Sequence, residues 1–158
     1  MEITQQPKID IVKAEKQHVP DVARLYFEAF GEFYKSKDEA LADVEQKQKD
    51  GTLWVAIVDG KVIGTFGYVR EWSHGANYLE GIVVDAEYRR SGIGSKLLER
   101  FIQVCREEQT NQPYALSSTS VDNAASISVH RKMGFEECGI MKGLHYGKDE
   151  ILFRLRVK

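Results

Sequence analysis

The chain has 158 residues, which suits one globular domain that buries about two thirds of the surface of its unfolded form. A net charge of −2 argues against a nucleic-acid binder that relies on a strong basic field. Cys105 and Cys138 lie far apart in the sequence, so we expect neither a disulfide framework nor a zinc site, and the thiols suit a reducing cytosol.

No segment predicts export or membrane insertion. The first eight residues, M-E-I-T-Q-Q-P-K, lack the charged and apolar regions of a signal peptide. The longest apolar run, Leu53 to Val58, has the length of a strand and is far too short to span a membrane. We therefore expect a cytoplasmic protein without a membrane partner.

The first half of the chain predicts a strand, two helices and a hairpin. Ile9 and Ile11 alternate with polar neighbours, which indicates a strand. A helix opens near Pro20, and a second, very polar helix covers Asp38 to Asp50. In the hairpin that follows, Asp59-Gly60 supplies the positive φ angles of a type I′ turn.

The second half predicts alternating strands and helices. After the loop Trp72-Ser73-His74-Gly75, these are a strand from Ala76 to Val84, a helix from Gly92 to Glu108, a strand from Tyr114 to Ser120, a helix from Asn123 to Met133, and strands near Phe135–Met141 and Glu150–Val157. The order is βααβββαβαββ. It predicts an α/β (α+β) fold with a mixed sheet, and residues 1–158 show no linker that would divide one domain.

The segment I-V-V-D-A-E-Y-R-R-S-G-I-G-S-K-L-L joins the end of a strand to an amphipathic helix. A helix start leaves backbone N–H groups unpaired and carries a partial positive charge. Gly92 and Gly94 let a phosphate approach those groups, and Arg89 and Arg90 add positive charge. The segment predicts a diphosphate site, although plain helix capping with solvated arginines explains the same residues, since neither common phosphate-loop motif is present.

Two motifs in the right order resemble those of a known family. The string V-x-x-x-Y-R-x-x-G-I-G-x-x-L-L resembles the coenzyme A signature of the GNAT superfamily of N-acetyltransferases. About 35 residues later, N-A-A-S-I-S-V-H-R-K-M-G-F resembles the family's second motif, N-x-x-A-x-x-x-Y-x-K-x-G-F. The resemblance covers nearly the whole chain. It implies a single, mostly antiparallel sheet whose central parallel pair is splayed for coenzyme A, with helices on both faces.

The resemblance also implies a binding site for acetyl-CoA as co-substrate. The pyrophosphate would rest on the backbone of Arg89, Arg90, Ser91, Gly92, Ile93 and Gly94, and the pantetheine arm would pair with Ile82, Val83 and Val84. This requires the strand Tyr114 to Ser120 to splay away. An amide near Ile82 or Val84 would stabilise the oxyanion.

Two residues of the second motif leave alternatives open. Asn123 matches the asparagine that commonly contacts the coenzyme, but it is equally suited to cap a helix. His130 stands where the family often has a tyrosine thought to protonate the departing thiolate. An imidazolium at a helix end can donate that proton, so His130 is a candidate acid; otherwise it only sits beside the sulfur, and water protonates the thiolate.

Glu80 is the candidate base. It lies two residues before Ile82 on the same strand face, about 6–7 Å away, which suits a base acting through one water. The alternatives are an ion pair or an exposed strand face. His74, Glu71 and His145 are weaker rivals.

The resemblance places the acceptor site at His145 and Tyr146, and the break between the first two helices adds Phe30 and Tyr34. Aromatic faces and nearby carboxylates suit an ammonium group. Phe30 is equally consistent with a core position.

Together these features predict an N-acetyltransferase acting on a primary amine of a small molecule. A protein N-terminal or lysine acetyltransferase is the alternative enzyme, and a coenzyme-binding regulatory module without catalysis is the alternative of another class. We expect no metal and no nucleic-acid partner, and a homodimer is left open.

Overall fold

The structure is a computed structural model that describes residues 7–108 and 110–158. The signal-peptide expectation rests mainly on residues 1–6, which lie outside this part. None of the helices in the described ranges combines the length and apolar character needed to cross a membrane.

Within these ranges, strands and helices follow one another in the order that the sequence predicts. They are β1 (Asp10–Lys13), α1 (Val19–Phe30), α2 (Lys37–Asp50), β2 (Leu53–Val58), β3 (Lys61–Ser73), β4 (Ala76–Val84), α3 (Ile93–Glu107), β5 (Tyr114–Ser120), α4 (Ala124–Lys132), β6 (Glu136–His145) and β7 (Lys148–Arg156). The predicted order βααβββαβαββ is confirmed.

Two hairpins are longer than predicted. Residues Trp72 and Ser73, predicted as loop, belong to β3, and β6 continues to His145. Both hairpins close with a short turn at positive φ, which is 50° at His74 and 51° at Tyr146. Because such turns match the twist of the strands, strand structure continues up to them.

The strands form one mixed sheet in the order β1-β2-β3-β4-β5-β7-β6. The β1–β2, β5–β7 and β6–β7 pairs are antiparallel, and β4–β5 is parallel. This confirms the predicted mixed sheet with a central parallel pair. At the β2–β3 turn, Asp59 and Gly60 have φ of 48° and 78°, as a type I′ turn requires.

The described chain divides into two compact units, so the expectation of a single domain stays a prediction. The first unit comprises the residues up to Phe66 together with Ile82–Leu97. Its core packs the apolar face of α1, including Val22 and Leu25, with Val44 of α2. Burial of this face stabilises α1. The helix ends at Phe30, with Gly31 as its C-cap.

The second unit comprises Gly67–Gly81 and the residues from Leu98 onwards. Glu108, just after α3, accepts hydrogen bonds from Tyr68 Oη at 2.5 Å, Arg70 Nε at 3.1 Å and Asn77 Nδ2 at 2.7 Å. This half-buried network ties the end of α3 to β3 and β4.

Gly64 lets α3 approach the sheet in the first unit. A Cβ at this position would lie 3.1 Å from Leu97 Cδ1, 3.3 Å from Ile93 Cγ2 and 3.3 Å from the Val83 carbonyl oxygen. We predict that Gly64→Ala lowers the free energy of unfolding by about 1–3 kcal/mol, measured by urea denaturation, because the core is overpacked. Gly94→Ala is the control, since the methyl would meet only Val84 Cγ2 at 4.0 Å. Equal stability of the two variants would contradict this packing.

Candidate functional site

The start of α3 presents a group of unpaired backbone donors. The Lys96 N–H makes a helical bond to the Gly92 carbonyl at 3.2 Å. Within residues 7–108 and 110–158, the hydrogen bonds include none donated by the N–H groups of Gly92, Ile93, Gly94 or Ser95. These four donors and the helix dipole create a site for an anion.

The two glycines leave this site open to a bulky anion. Gly92 has a φ of 80°, and a Cβ on it would meet no atom within 4 Å. Arg89 and Arg90 are exposed beside it, and Arg89 Nε donates to the Val84 carbonyl at 3.2 Å. The donors, the open space and the two guanidinium groups fit a diphosphate.

Asp85 holds the turn in place, a role that the sequence analysis missed. It is 8% exposed, its N–H donates to the Ile63 carbonyl at 2.8 Å, and Oδ1 accepts from the Glu87 N–H at 3.0 Å. The hydrogen bond from Glu87 and an ion pair with Arg24 at 3.4 Å hold the pKa of Asp85 below its usual range. An aspartate directly after a strand is a capping signal, so the sequence did contain this information.

The ladder between β4 and β5 is short. Among the described residues it comprises the pairs Asn77↔Ala115 and Tyr78↔Leu116. In contrast, β5 continues to pair with β7 as far as Ser120↔Glu150. The resemblance predicts a splayed parallel pair, and a ladder that stops after two pairs is consistent with it. In the other unit, Ile82 and Val84 at the end of β4 are half-buried, and Val83 is buried.

His130 is part of a packed aromatic cluster. It is 4% exposed, and its ring stacks on Phe153 with the centroids 4.6 Å apart. Nδ1 lies 2.8 Å from the Ser126 carbonyl oxygen, so Nδ1 carries the proton, and Nε2 at 2.8 Å from Ser117 Oγ accepts the serine hydroxyl. Burial lowers the pKa of His130. This effect is larger than that of the hydrogen bond to the Ser126 carbonyl, which raises the pKa, and it is opposite to the expected effect of the helix end. The role of His130 as acid stays a prediction.

Asn123 caps α4, because its Oδ1 accepts the Ser126 N–H at 3.0 Å. The capping role is confirmed, and the contact with coenzyme stays a prediction.

Glu80 is exposed on the strand face that it shares with Tyr78, so exposure explains how β4 tolerates this acid. Its role as base also stays a prediction. The rivals Glu71 and His74 are exposed as well, at φ of 51° and 50°.

The predicted acceptor residues fall in both units. In the first, Phe30 and Tyr34 are partly buried against the core, and Tyr34 Oη donates to Asp43 Oδ2 at 2.7 Å. In the second, the rings of His145 and Tyr146 meet edge to face at 5.4 Å, and Tyr146 is 70% exposed. The core interpretation of Phe30 is confirmed, and the acceptor role of all four residues stays a prediction.

A hydroxyl and carboxylate cluster in the second unit was not predicted. Tyr78 Oη lies 2.6 Å from Ser118 Oγ, and the register places Ser118 on the same face as Glu150, which is 6% exposed. Trp72 stacks on Tyr78 at 4.6 Å. The only signal in the sequence was an acid next to the apolar run of the last strand, which we interpreted as the strand's start.

Residues 19–135 match the model of the acetyltransferase (GNAT) family. The chain belongs to this family. The expectation of no metal stays a prediction, although residues 7–108 and 110–158 contain no group of three His, Cys, Asp or Glu side chains that could hold one.

The chain is similar to several acetyltransferases over half or more of its length. It is 28% identical to the N-alpha-acetyltransferase of Sulfurisphaera tokodaii over 65% of this chain and 66% of that protein. It is 34% identical to the L-amino acid N-acetyltransferase AaaT of Escherichia coli over 52% and 51%. The structure of yncA from Salmonella typhimurium with its cofactor acetyl-CoA superposes with a TM-score of 0.79 at 22% identity, covering 96% of this chain and 95% of that one. The match to the two curated relatives therefore spans less than two thirds of their length.

The geometry of His130 predicts a neutral imidazole at pH 7. Because the pKa is lowered in the folded protein, the unfolded chain binds more protons between the folded pKa and about 6.5, and stability falls as the pH drops through that window. Titration of the ring carbon and nitrogen shifts by NMR should give a pKa below 6.5 and the Nδ1–H tautomer. A His130 pKa above 6.5 would contradict the burial effect and support the imidazolium as the acid.

Proposed function

We propose that the protein transfers the acetyl group of acetyl-CoA to a primary amine. The observation that carries this proposal is the set of unpaired N–H groups of Gly92, Ile93, Gly94 and Ser95, which begins the helix in a chain of the GNAT family. The exposed guanidinium groups beside these donors have the charge that a diphosphate requires.

The remaining coenzyme contacts follow the family pattern. The pyrophosphate rests on the backbone of Arg89–Gly94, and the pantetheine arm runs along Ile82–Val84. Asn123 and His130 keep their predicted coenzyme contacts as part of the proposal. The short ladder between β4 and β5 supports it, because the end of a strand that lacks a neighbour can pair with an extended ligand.

The protein must supply a neutral amine. At pH 7, deprotonating a lysine-like amine with a pKa near 10.4 costs about 4–5 kcal/mol of free energy. Deprotonating an α-amino group with a pKa near 8 costs about 1 kcal/mol. Holding the amine against the thioester contributes several kcal/mol. In this proposal Glu80 accepts the proton through one water, which its exposed position on β4 allows.

The departing group needs less assistance. A thiol with a pKa of about 8.5 leaves as thiolate at modest cost. A neutral, buried His130 is a poor direct acid because both ring nitrogens have partners. In this tautomer Nε2 has no proton to donate, so water protonates the departing thiolate.

The acceptor is proposed to be a small molecule, with a protein N-terminus as the second candidate. The E. coli relative is an L-amino acid N-acetyltransferase, and the archaeal relative is an N-alpha-acetyltransferase. The archaeal name specifies an α-amino group, whose deprotonation requires less free energy. A side-chain lysine acceptor has no such support.

Gly94→Ala separates coenzyme binding from folding. We predict that the variant is as stable as the wild type or up to about 1 kcal/mol more stable, since alanine favours a helix. The added methyl fills the space over the donors, so the affinity for coenzyme A, measured by calorimetry, should fall at least tenfold. Unchanged affinity in Gly94→Ala would remove the proposed diphosphate site.

Glu80→Gln tests the base. We predict a 10²–10⁴-fold loss of kcat with little change in coenzyme affinity, measured by thiol release with α-amino acids and polyamines. His130→Phe, assayed in parallel, tests the acid. Wild-type kcat in Glu80→Gln would contradict this role, and tight acetyl-CoA binding without transfer to any amine would favour the regulatory module instead.

A further inference from the structure

The exposed side chain of Arg89 folds back onto the strand that precedes its turn. Its Nε donates to the Val84 carbonyl oxygen at 3.2 Å, and both residues belong to the first unit. Val84 lies at the start of α3, because a Cβ on Gly94 would be 4.0 Å from Val84 Cγ2. The guanidinium group is therefore close to the donors of the proposed diphosphate site, yet it bonds a neutral oxygen.

The Val84 carbonyl points to the side of β4 that faces away from β3. The Asp85 N–H donates to the Ile63 carbonyl of β3 at 2.8 Å. In a trans peptide the C=O and the following N–H point in opposite directions, so the Val84 oxygen points away from β3. The preceding oxygen, that of Val83, lies on the β3 side, 3.3 Å from the position of a Cβ on Gly64. This alternation is what a strand requires.

On the side to which the Val84 carbonyl points, the parallel ladder ends well before Val84. Among the described residues the ladder of β4 with β5 comprises Asn77 and Tyr78, and Val84 comes six residues after Tyr78. A strand end without a neighbour offers its backbone groups to an extended ligand. In the proposed site the pantetheine arm pairs with this part of β4, and its amide N–H groups need carbonyl acceptors. Arg89 already occupies the acceptor at Val84.

The turn that carries Arg89 is held by its own hydrogen bonds. Asp85 Oδ1 accepts the Glu87 N–H at 3.0 Å, and the Tyr88 N–H donates to the Asp85 carbonyl at 2.9 Å. After Arg89, Ser91 Oγ donates to the Tyr88 carbonyl. Because these bonds hold the backbone of the turn, Arg89 can change its partner by moving its side chain alone.

Two acids of the turn are paired with other cations. Asp85 forms an ion pair with Arg24 at 3.4 Å, and Glu87 forms one with Lys61 at 3.6 Å. Arg89 bonds a neutral carbonyl instead. A phosphate group offers a negative charge and two oxygens that match the guanidinium fork, so it binds arginine more strongly than one carbonyl does. A diphosphate is therefore the stronger partner for this side chain.

We propose that Arg89 makes the enzyme selective for acyl donors that carry a diphosphate. Without a diphosphate, the guanidinium stays on the Val84 carbonyl and competes with the pantetheine arm. The diphosphate of coenzyme A draws the guanidinium away, and the freed carbonyl then accepts an amide N–H of the arm. A pantetheine arm without phosphate, or one joined to a carrier protein through a single phosphodiester, is disfavoured. This inference rests on the proposed acetyl transfer and adds the class of acyl donor.

The test compares the wild type with Arg89→Ala in their affinities for coenzyme A and for pantetheine, measured by amide NMR titration. Arg89→Ala should bind coenzyme A at least about tenfold more weakly, because a cation that pairs with the diphosphate is lost. It should bind pantetheine about twofold to tenfold more tightly, because a competing hydrogen bond is gone. The ratio of kcat/KM for acetyl-CoA to that for S-acetylpantetheine should fall by the product of these two effects.

Arg90→Ala is the matched comparison. It removes the same charge from the same turn, and the described ranges contain no hydrogen bond from Arg90 to the Val84 carbonyl. We expect Arg90→Ala to weaken the binding of coenzyme A and to leave the affinity for pantetheine unchanged.

Inorganic pyrophosphate provides a readout in the wild type that depends on neither activity nor a variant. It should shift the amide signals of Gly92–Ser95 and, because Arg89 leaves its partner, the carbonyl-carbon signal of Val84. In Arg89→Ala the Val84 carbonyl signal should stay in place.

The outcomes separate this inference from the proposed function. If Arg89→Ala weakens both ligands or leaves pantetheine binding unchanged, selection by Arg89 is wrong and the coenzyme site is unaffected. The same holds if pyrophosphate shifts the amides of Gly92–Ser95 in the wild type but not the Val84 carbonyl. If coenzyme A does not bind the wild type, the proposed function fails and this inference with it.

Discussion

The whole account depends on four backbone N–H groups at the start of α3 that have no acceptor among the described residues. The first N–H groups of a helix lack an intrahelical acceptor, and the two glycines and two arginines beside these four suit them to an anion. Two contacts of the first unit fix the position of these donors. Asp85 accepts a hydrogen bond from the Glu87 N–H in the turn before α3. Gly64 lets Ile93 and Leu97 pack closely on the sheet. The fold therefore fixes the position of the start of α3. The proposed diphosphate site there consists mainly of backbone N–H groups.

Burial shifts the pKa values of His130 and Glu150 in opposite directions. His130 is a candidate acid, but burial among aromatic rings keeps it neutral. Glu150 is buried on β7, and burial raises its pKa. Each shift has the same cause, the loss of hydration, and it acts in opposite directions because one charged form is a cation and the other an anion. Both groups lie in the second unit, on different faces of β5.

Features that depend on neighbouring residues could be predicted from the sequence. The element order, the Asp59-Gly60 turn and the glycine-opened start of α3 follow from local spacing, and all three are confirmed. Features that depend on strand register could not. Ser118 and Glu150 lie on one face of the sheet only because β5 pairs with β7, thirty-two residues later. The burial of His130 depends in the same way on Phe153, so its helix position alone could not predict that its pKa is lowered.

The most direct test of the central claim is a backbone amide NMR titration with coenzyme A, compared with one using dephosphorylated pantetheine. The account predicts that coenzyme A produces its largest shifts at the amides of Gly92, Ile93, Gly94 and Ser95, and that pantetheine leaves these four nearly unchanged. Saturable binding of coenzyme A with no shift at these amides, or equal shifts with both ligands, would contradict a diphosphate held at the start of α3.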